Sequence, residues 1–504
     1  MSHWPEPRDV PLYRRLAGLY EQAIATGSLA PGMRLPSVRE LCQRHQVSLT
    51  TALQVLRHLE SQGCAEARER VGYFVREPGG VALPGAREPE LHEPLAQDPQ
   101  VFAGINERIS GFLEKARRAG PVPLDLGSAM PAPSLFDAAA LNRLAHALLR
   151  EQPDILVYGP SAPTTHPEFQ QAMARHALTF GVCVAPADIG ATLGNSEGVN
   201  LALDAVAGPG DVVAVESPTF FGILQAIEVR GLRALEIPSS PRTGMSLEAL
   251  ELAARNESRL KAVVVVPHLQ MPLGSVMPDA HKERLVALCV EHGLALIEDD
   301  IYREFVESPH VLRPAKAWDR PGDAGQVIYC ASLSKSFAPG LRQGWMSAGR
   351  WQARVQMLKF ARTRNMQTWS QLLAARSVAS PAYERHLRRM RAQLRLQREQ
   401  AARAVARYFP PGTRLSLPPG GLSLWLELPA GVSSTRLYDQ ALHSGIRVAP
   451  GPMFSNTGRY EHFLRLSCGM PFTAEVEAGY RTLGALMAAQ LAQGEGAAAP
   501  RRAA

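Results

Sequence analysis

The stretch Cys330-Ala-Ser-Leu-Ser-Lys-Ser-Phe-Ala-Pro-Gly-Leu-Arg342 decides how this chain is read. It places one amine, on Lys335, after two hydroxyls, on Ser332 and Ser334, and seven residues before the guanidinium of Arg342. An amine at the end of a predicted strand can form a Schiff base with an aldehyde. Hydroxyls and an arginine nearby can hold a phosphate. The chain has six lysines against 48 arginines, so a lysine at this position is not casual composition.

Upstream, Leu294-Ala-Leu-Ile-Glu-Asp-Asp300-Ile-Tyr302 reads as a buried strand ending in carboxylates. A carboxylate facing a pyridine nitrogen keeps that nitrogen protonated, an attraction of roughly 4 kcal/mol at ~4 Å and an effective dielectric near 20. Spacing favours Asp299 for that role and sets Tyr302 one turn on. Further upstream, Ala191-Thr-Leu-Gly-Asn-Ser-Glu-Gly198 is a glycine-rich turn that opens a predicted helix, whose first N–H groups suit a phosphate. Phe220, in Glu216-Ser-Pro-Thr-Phe-Phe221, follows another strand and offers an aromatic face. The aldehyde that also carries a phosphate and a pyridine ring is pyridoxal phosphate (PLP).

In order and spacing these segments resemble the fold-type I, PLP-dependent aminotransferases of class I and II, over roughly residues 122–490. The resemblance implies that Lys335 carries PLP as a Schiff base, that Asp299 faces the pyridine nitrogen and that Tyr302 bonds the ring oxygen. It implies a phosphate clamp of Ser332 and Arg342, with donors from Asn195 and Ser196, and Phe220 stacked on the ring. Arg465, in Phe463-Leu-Arg-Leu-Ser467, resembles the arginine that grips a substrate carboxylate. Pro418-Pro-Gly-Gly-Leu-Ser-Leu-Trp425 resembles the small-domain hairpin bordering the site. Two segments depart from the family pattern. Met271, in Pro267-His-Leu-Gln-Met-Pro-Leu-Gly274, stands at the substrate side of the site where the family has an asparagine that donates to the cofactor's phenolic oxygen. Met cannot donate, which removes a hydrogen bond worth about 1–3 kcal/mol and leaves His268 or Gln270 as substitutes. The segment from Tyr158 to Gln170 lacks the family's usual residues as well.

The head of the chain has another character. Leu12, Leu16, Leu19 and Ile24 form a helical stripe from about Leu12 to Ala25. Ser37-Val-Arg-Glu40 is a capping-box start for a second helix. Val47-Ser48 opens a third, with Ala52, Leu53, Val55, Leu56 and Leu59 as its buried stripe and Gly63 at its end. Residues 64–76 read as a two-stranded wing. Three helices and a wing make a winged helix-turn-helix. The run Leu29-Ala-Pro-Gly-Met-Arg-Leu-Pro-Ser-Val-Arg-Glu-Leu41 closely resembles the GntR family of bacterial regulators. That resemblance implies DNA contacts from Arg34 and Arg39, from Ser48, Thr50 and Thr51 at the start of the recognition helix, and from Arg68 and Arg70 in the wing. Leu49 stands where many relatives have arginine. Ten arginines and eight acids over residues 1–78 give the head a net charge of only +2, so a small arginine-rich face must supply the phosphate contacts.

A GntR head joined to an aminotransferase body is the architecture of the MocR-type regulators, which the whole chain resembles. The expected fold is multidomain: a helical winged helix-turn-helix head at 9–77, a linker with a docking helix at 78–121, an α/β aminotransferase body at 122–492 with a large, mostly parallel sheet domain and a small α+β domain, and a disordered tail at 493–504. Five prolines between Pro78 and Pro99 make the first part of the linker extended. Val101, Ile105, Ile109, Phe112 and Leu113 then recur at helical spacing. The arginine-rich stretch from Arg385 to Arg403 reads as a solvated helix face rather than a DNA patch.

Composition sets bounds on function. A chain of 504 residues with 46% hydrophobic content can bury two or three cores, and its net charge of +7 is compatible with nucleic acid. Cys42, Cys64, Cys183, Cys289, Cys330 and Cys468 have no metal-ligand or redox spacing, which suits a reducing cytoplasm. The polar start has no signal peptide, and no apolar run approaches the ~20 residues that span a bilayer. The expected function is a transcriptional regulator, a homodimer on an operator of double-stranded DNA. In it PLP on Lys335 senses an amino compound, or PLP itself, and alters operator binding. The alternatives are an active aminotransferase that carries a DNA-binding head, and a dimerisation body without cofactor.

Overall fold

The computed structural model describes residues 11–62, 64–68, 71–76, 104–157, 165–308, 310–319 and 325–498. The chain forms two compact units, Met1–Val81 and Ala82–Ala504. Arg70, Gly63, Val101 and residues 158–164 lie outside the described residues.

The first unit has helices α1 (Leu12–Ala25), α2 (Val38–His45) and α3 (Leu49–Ser61) and an antiparallel wing of β1 (Ala65–Arg68) and β2 (Gly72–Val75), in the register Ala65 to Val75. Its core is Ala17, Tyr20, Leu35, Leu41, Ala52, Val55, Leu56, Leu59, Ala65 and Val75. The stripe expected on α1 is rotated: Leu12 and Leu19 are exposed at 50% and 56%, while Ala17 and Tyr20 are buried. Tyr13, Leu16 and Ile24 complete that face, and the small Ala17 side chain lets α3 pack closely against α1. Leu53 on α3 is only half-buried. Both bonds of the capping box form: Ser37 Oγ accepts from the Glu40 N–H at 3.3 Å and Glu40 Oε2 from the Ser37 N–H at 2.7 Å. We expect Ser37→Ala to cost the head about 1 kcal/mol, measurable as faster amide exchange over Val38–His45.

The second unit opens with α4 (Ile105–Arg118), the docking helix expected from periodicity. Ile105, Ile109, Phe112 and Ala116 are buried, whereas Leu113 is 57% exposed. The chain then lays down β3 (Leu124–Asp125), β4 (Gly190–Leu193), β5 (Val212–Ser217), β6 (Arg233–Ser240), β7 (Gly244–Met245), β8 (Leu260–Val265), β9 (Ala295–Asp299), β10 (Val327–Ser332) and β11 (Gln343–Ser347). All but β3 form one eight-stranded sheet in the order β4-β11-β10-β9-β8-β5-β6-β7. The sheet is parallel except at β11 and β7. Every residue of β5, β9, β10 and β11 is buried, as expected of a sheet covered on both faces.

A smaller, antiparallel sheet follows, of β12 (Arg414–Ser416), β13 (Ser423–Glu427), β15 (Ala449–Pro450) and β16 (Phe463–Ser467), in the order β12-β13-β16-β15. β14 (Ile446–Arg447) pairs with β3, which ties the start of the body to its small domain. The helix Pro381–Tyr408 carries the arginine-rich stretch; it buries Leu387, Met390 and Leu394 and points most of its arginines outward. The expected tail at 493–504 is corrected in part. The last helix, Ala474–Ala498, runs on through Ala498, because extending a helix already anchored by buried Val476, Tyr480, Leu483 and Met487 adds a hydrogen bond for each residue fixed.

Candidate functional site

The ends of β9 and β10 open on a cavity of about 380 Å³, where ligands settle in open α/β sheets. Ten body residues singled out from the sequence line it, with Ser334 beside them: Asn195, Ser196, Phe220, Met271, Asp299, Tyr302, Ser332, Lys335, Arg342 and Arg465.

Lys335 follows β10 by three residues. Its Nζ donates to the Ala129 carbonyl at 2.7 Å, beside Met130. Burial lowers its pKa to about 8, helped by Arg465 and Arg342, with Asp299 acting in the opposite direction. Below pH 8 the amine is protonated and unreactive; above it the neutral nucleophile prevails. We therefore expect the rate at which PLP is captured on Lys335 to rise with a midpoint near pH 8, followed by stopped-flow absorbance, and not near the 10.5 of an ordinary lysine. The other five lysines are placed differently. Lys282 bonds His268 and the Arg313 carbonyl, Lys316 meets Asp319 and the Val327 carbonyl, Lys359 meets Glu197, Lys115 meets Asp439, and Lys261 is exposed on β8.

Asp299 and Asp300 are adjacent and face opposite ways. Asp299 lines the cavity, and burial pushes its carboxyl up to about 7. Asp300 turns away to His268 at 2.6 Å, Tyr329 at 2.8 Å and Arg303 at 3.1 Å, and these partners hold it below the usual carboxylate range despite its burial. The side chain of Asn195 turns to Asp299, leaving its Oδ1 buried without a partner. Burial holds the Tyr302 phenol protonated.

One side of the cavity is built for an anion. Ser332 Oγ donates to Ser334 Oγ at 2.9 Å and accepts from the Ser334 N–H at 3.1 Å. Arg342 lies across Gly194, the first residue of the helix Gly194–Val206, whose N-terminus has no side-chain cap. Gly344 makes this possible: a Cβ there would sit 2.7 Å from Thr192 Oγ1 and 2.8 Å from Gly194 C. A guanidinium, two hydroxyls and uncapped helix N–H groups are the donor chemistry a phosphate needs. Phe220, packed on Phe221 with ring centroids 4.6 Å apart, supplies an aromatic wall. These residues fit PLP.

Arg465 is the other anion-seeking group. It is 2% exposed, its Nε has no hydrogen-bond partner, and burial lowers its pKa to about 10. Its other nitrogens meet the Gly127 carbonyl and Met271 Sδ, the latter at 3.5 Å, and among the described residues no carboxylate pairs with it. A buried guanidinium without an acid is a ready seat for a ligand carboxylate.

Neither expected substitute for the missing asparagine reaches the cavity. His268 is held by Asp300 and Lys282, and Gln270 bonds the Pro218 carbonyl and the Leu273 N–H. The hairpin residues Pro418–Trp425 lie outside the lining too. Sequence reasoning missed the segment Gly127–Met130 and the wall that α4 supplies through Phe112, Leu113 and Ala116.

In the first unit, Arg34, Arg39, Ser48 and Thr50 are exposed and Thr51 half-buried. Ser48 caps α3, accepting from the Thr51 N–H at 3.2 Å, and its hydroxyl is 2.9 Å from that of Thr51. Arg34 lies against Gly72, which has φ +123 and no side chain to displace the guanidinium. Arg68 stacks over Phe74 at 4.4 Å and pairs with Glu66.

Residues 124–478 match the family of class I and II aminotransferases, and residues 12–75 match the gntR family of bacterial regulatory proteins. The chain is 35% identical over 479 residues to the uncharacterized HTH-type transcriptional regulator YdcR of Escherichia coli, covering 95% of this chain and 99% of that one. It is 33% identical to the uncharacterized HTH-type transcriptional regulator YjiR of the same organism, over 94% and 98% of the two chains. Among solved structures, the α-aminoadipate aminotransferase LysN of Thermus thermophilus, crystallised with N-(5'-phosphopyridoxyl)-L-leucine, superposes with a TM-score of 0.69 at 27% identity, over 78% of this chain and 99% of that one. This chain belongs to the MocR-type transcriptional regulators, in which a GntR helix-turn-helix head is fused to a class I/II aminotransferase body.

Proposed function

We propose that the body holds PLP on Lys335 and that an amino compound, or PLP itself, arriving at this cavity changes how tightly the head binds its operator. The observation that carries this reading is the meeting, in one cavity, of a half-buried lysine of depressed pKa, a buried aspartate, an anion cradle and an unpaired buried arginine. Bound PLP would supply an electron-withdrawing ring that activates amines. Asp299 would hold the proton on the pyridine nitrogen, and Tyr302 would bond the ring oxygen. Arg342, Ser332, Ser334 and the N–H groups of Asn195 and Ser196 would hold the phosphate, and Phe220 would cover one face of the ring. Arg465, with Met271 at its side, would seat the effector's carboxylate. In the head, Arg34, Arg39, Arg68 and Arg70 would meet the DNA, with Ser48, Thr50 and Thr51 at the groove edge. The acting form is a cytoplasmic homodimer that reads two half-sites.

Two measurements test this together. The absorption spectrum with added PLP, wild type beside Lys335→Ala, should show a visible band that disappears with the amine. Operator affinity, followed by fluorescence anisotropy, should then move by roughly 5–150-fold with PLP or an amine, the usual range for coupled sites. A band indifferent to Lys335, or an affinity indifferent to every amine and to PLP, overturns the reading. The same residues would also permit transamination, which pyridoxamine phosphate formed over many cycles would reveal.

A further inference from the structure

The cavity is divided by chemistry. One side holds Lys335, Asp299, Ser332 and Arg342. The apolar part of the lining comes from three elements: Phe112, Leu113 and Ala116 of α4, Ile223 and Ala226 of the helix Phe221–Glu228, and Met453. Arg465 also lines the cavity, with a nitrogen to spare.

The polar groups along the apolar wall are already committed. Arg447 is bound through two nitrogens to Asp125. The Tyr438 hydroxyl donates to the Phe112 carbonyl at 2.6 Å, and Asn200 Nδ2 donates to the Ser196 carbonyl at 2.6 Å. Arg342 lies over Gly194. A ligand with a second carboxylate would therefore bring a charge that no lining cation, among the described residues, is free to pair on that wall. Burying an unpaired charge is strongly unfavourable, whereas an aliphatic or aromatic side chain gains from the same surface.

We infer that the effector is an α-amino acid with a bulky apolar side chain, its carboxylate on Arg465 and its side chain against α4. This inference rests on the reading of Lys335 and Arg465 given above and adds the class of ligand. Wild-type selectivity follows from the wall: apolar side chains gain from its surface, while a charged one finds no free cation there among the described residues. Leu113 is the position from which the selectivity can be changed. It lines the cavity yet is 57% exposed, so a longer polar side chain there can be accommodated without disturbing the core.

The test uses carboxylates that lack the amine, so that they occupy the pocket without reacting: 3-phenylpropanoate, 4-methylpentanoate and glutarate. Each is titrated into the full-length protein by calorimetry, with the thermal midpoint as a second reading. The two apolar acids should bind at least about tenfold tighter than glutarate. Leu113→Arg should weaken 3-phenylpropanoate and strengthen glutarate, reversing the order. Glutarate binding the wild type as tightly as the apolar acids, no binding of any carboxylate, or an order unchanged by L113R would each overturn the inference. The calorimetry does not depend on the visible band. Apolar acids that bind a protein with no Lys335-dependent band would uphold the pocket's chemistry and count against the PLP reading alone.

Discussion

Arg465→Met should weaken the binding of carboxylate-bearing amines by roughly 10²–10³-fold while the protein still takes up PLP. Truncating one member of a desolvated ion pair costs about 2–5 kcal/mol, much of it from leaving the other charge buried without a partner. Here the group left without its partner would be the ligand's carboxylate. Stability should move the other way. In the ligand-free protein Arg465 is buried without an acid, its Nε unbonded, so replacing it by an apolar side chain of similar length should stabilise that form by roughly 1–3 kcal/mol. A third effect follows from the charges. Arg465 helps to lower the pKa of Lys335, so its removal should shift the midpoint of PLP capture upward from about 8. Titration calorimetry, thermal melting and the pH dependence of capture read the three separately. A variant that binds effector normally would remove Arg465 from the carboxylate seat.

Arg34→Ala combined with Arg39→Ala should lower operator affinity by roughly one to two orders of magnitude and reduce the slope of log K against log salt by about 2. Each phosphate contact contributes about 0.9 to that slope on duplex DNA. Both arginines are exposed, and Gly72 leaves room for Arg34 along the wing. The loss should be similar on specific and unrelated DNA, because phosphate contacts position a protein without reading sequence. Loss confined to the specific site would assign these arginines to base edges. Arg68 is the weaker candidate for a large effect, since Glu66 and the Phe74 ring already share its charge.

The parts of the site that sequence revealed are those whose geometry is set by one strand end. Lys335 and Ser332 follow a single strand, and alternation along β9 settles which of two neighbouring aspartates faces the cavity. Asp300 faces the other way and is held by His268, Arg303 and Tyr329. Elements that reach the site without a motif of their own were not legible. The Ala129 carbonyl meets Lys335 across 206 residues, and α4 reaches the cavity because Glu228 accepts from the N–H groups of Gly104 and Asn106 and Arg108 donates to the carbonyls of Pro452, Ser455 and Asn456. No local pattern encodes such contacts. Periodicity found α4 as a docking helix and gave no sign that it walls the site. The same limit explains α1: leucines at helical spacing marked a stripe, but the close approach of α3 at Ala17 decided which face is buried. His268 and Gln270 were near enough in sequence to stand in for an asparagine, yet each is bonded elsewhere.

The arrangement of the lysines makes labelling of this protein unusually selective. Lys115, Lys282, Lys316 and Lys359 are each tied to a carboxylate, a carbonyl or an imidazole. Of these, Lys115 reaches solvent, as does Lys261, but neither lines the cavity that Lys335 does. At pH 8 about half of Lys335 is free base. Borohydride reduction of the PLP-treated protein at that pH should therefore fix close to one equivalent per chain, and peptide mass mapping should find it on a single residue.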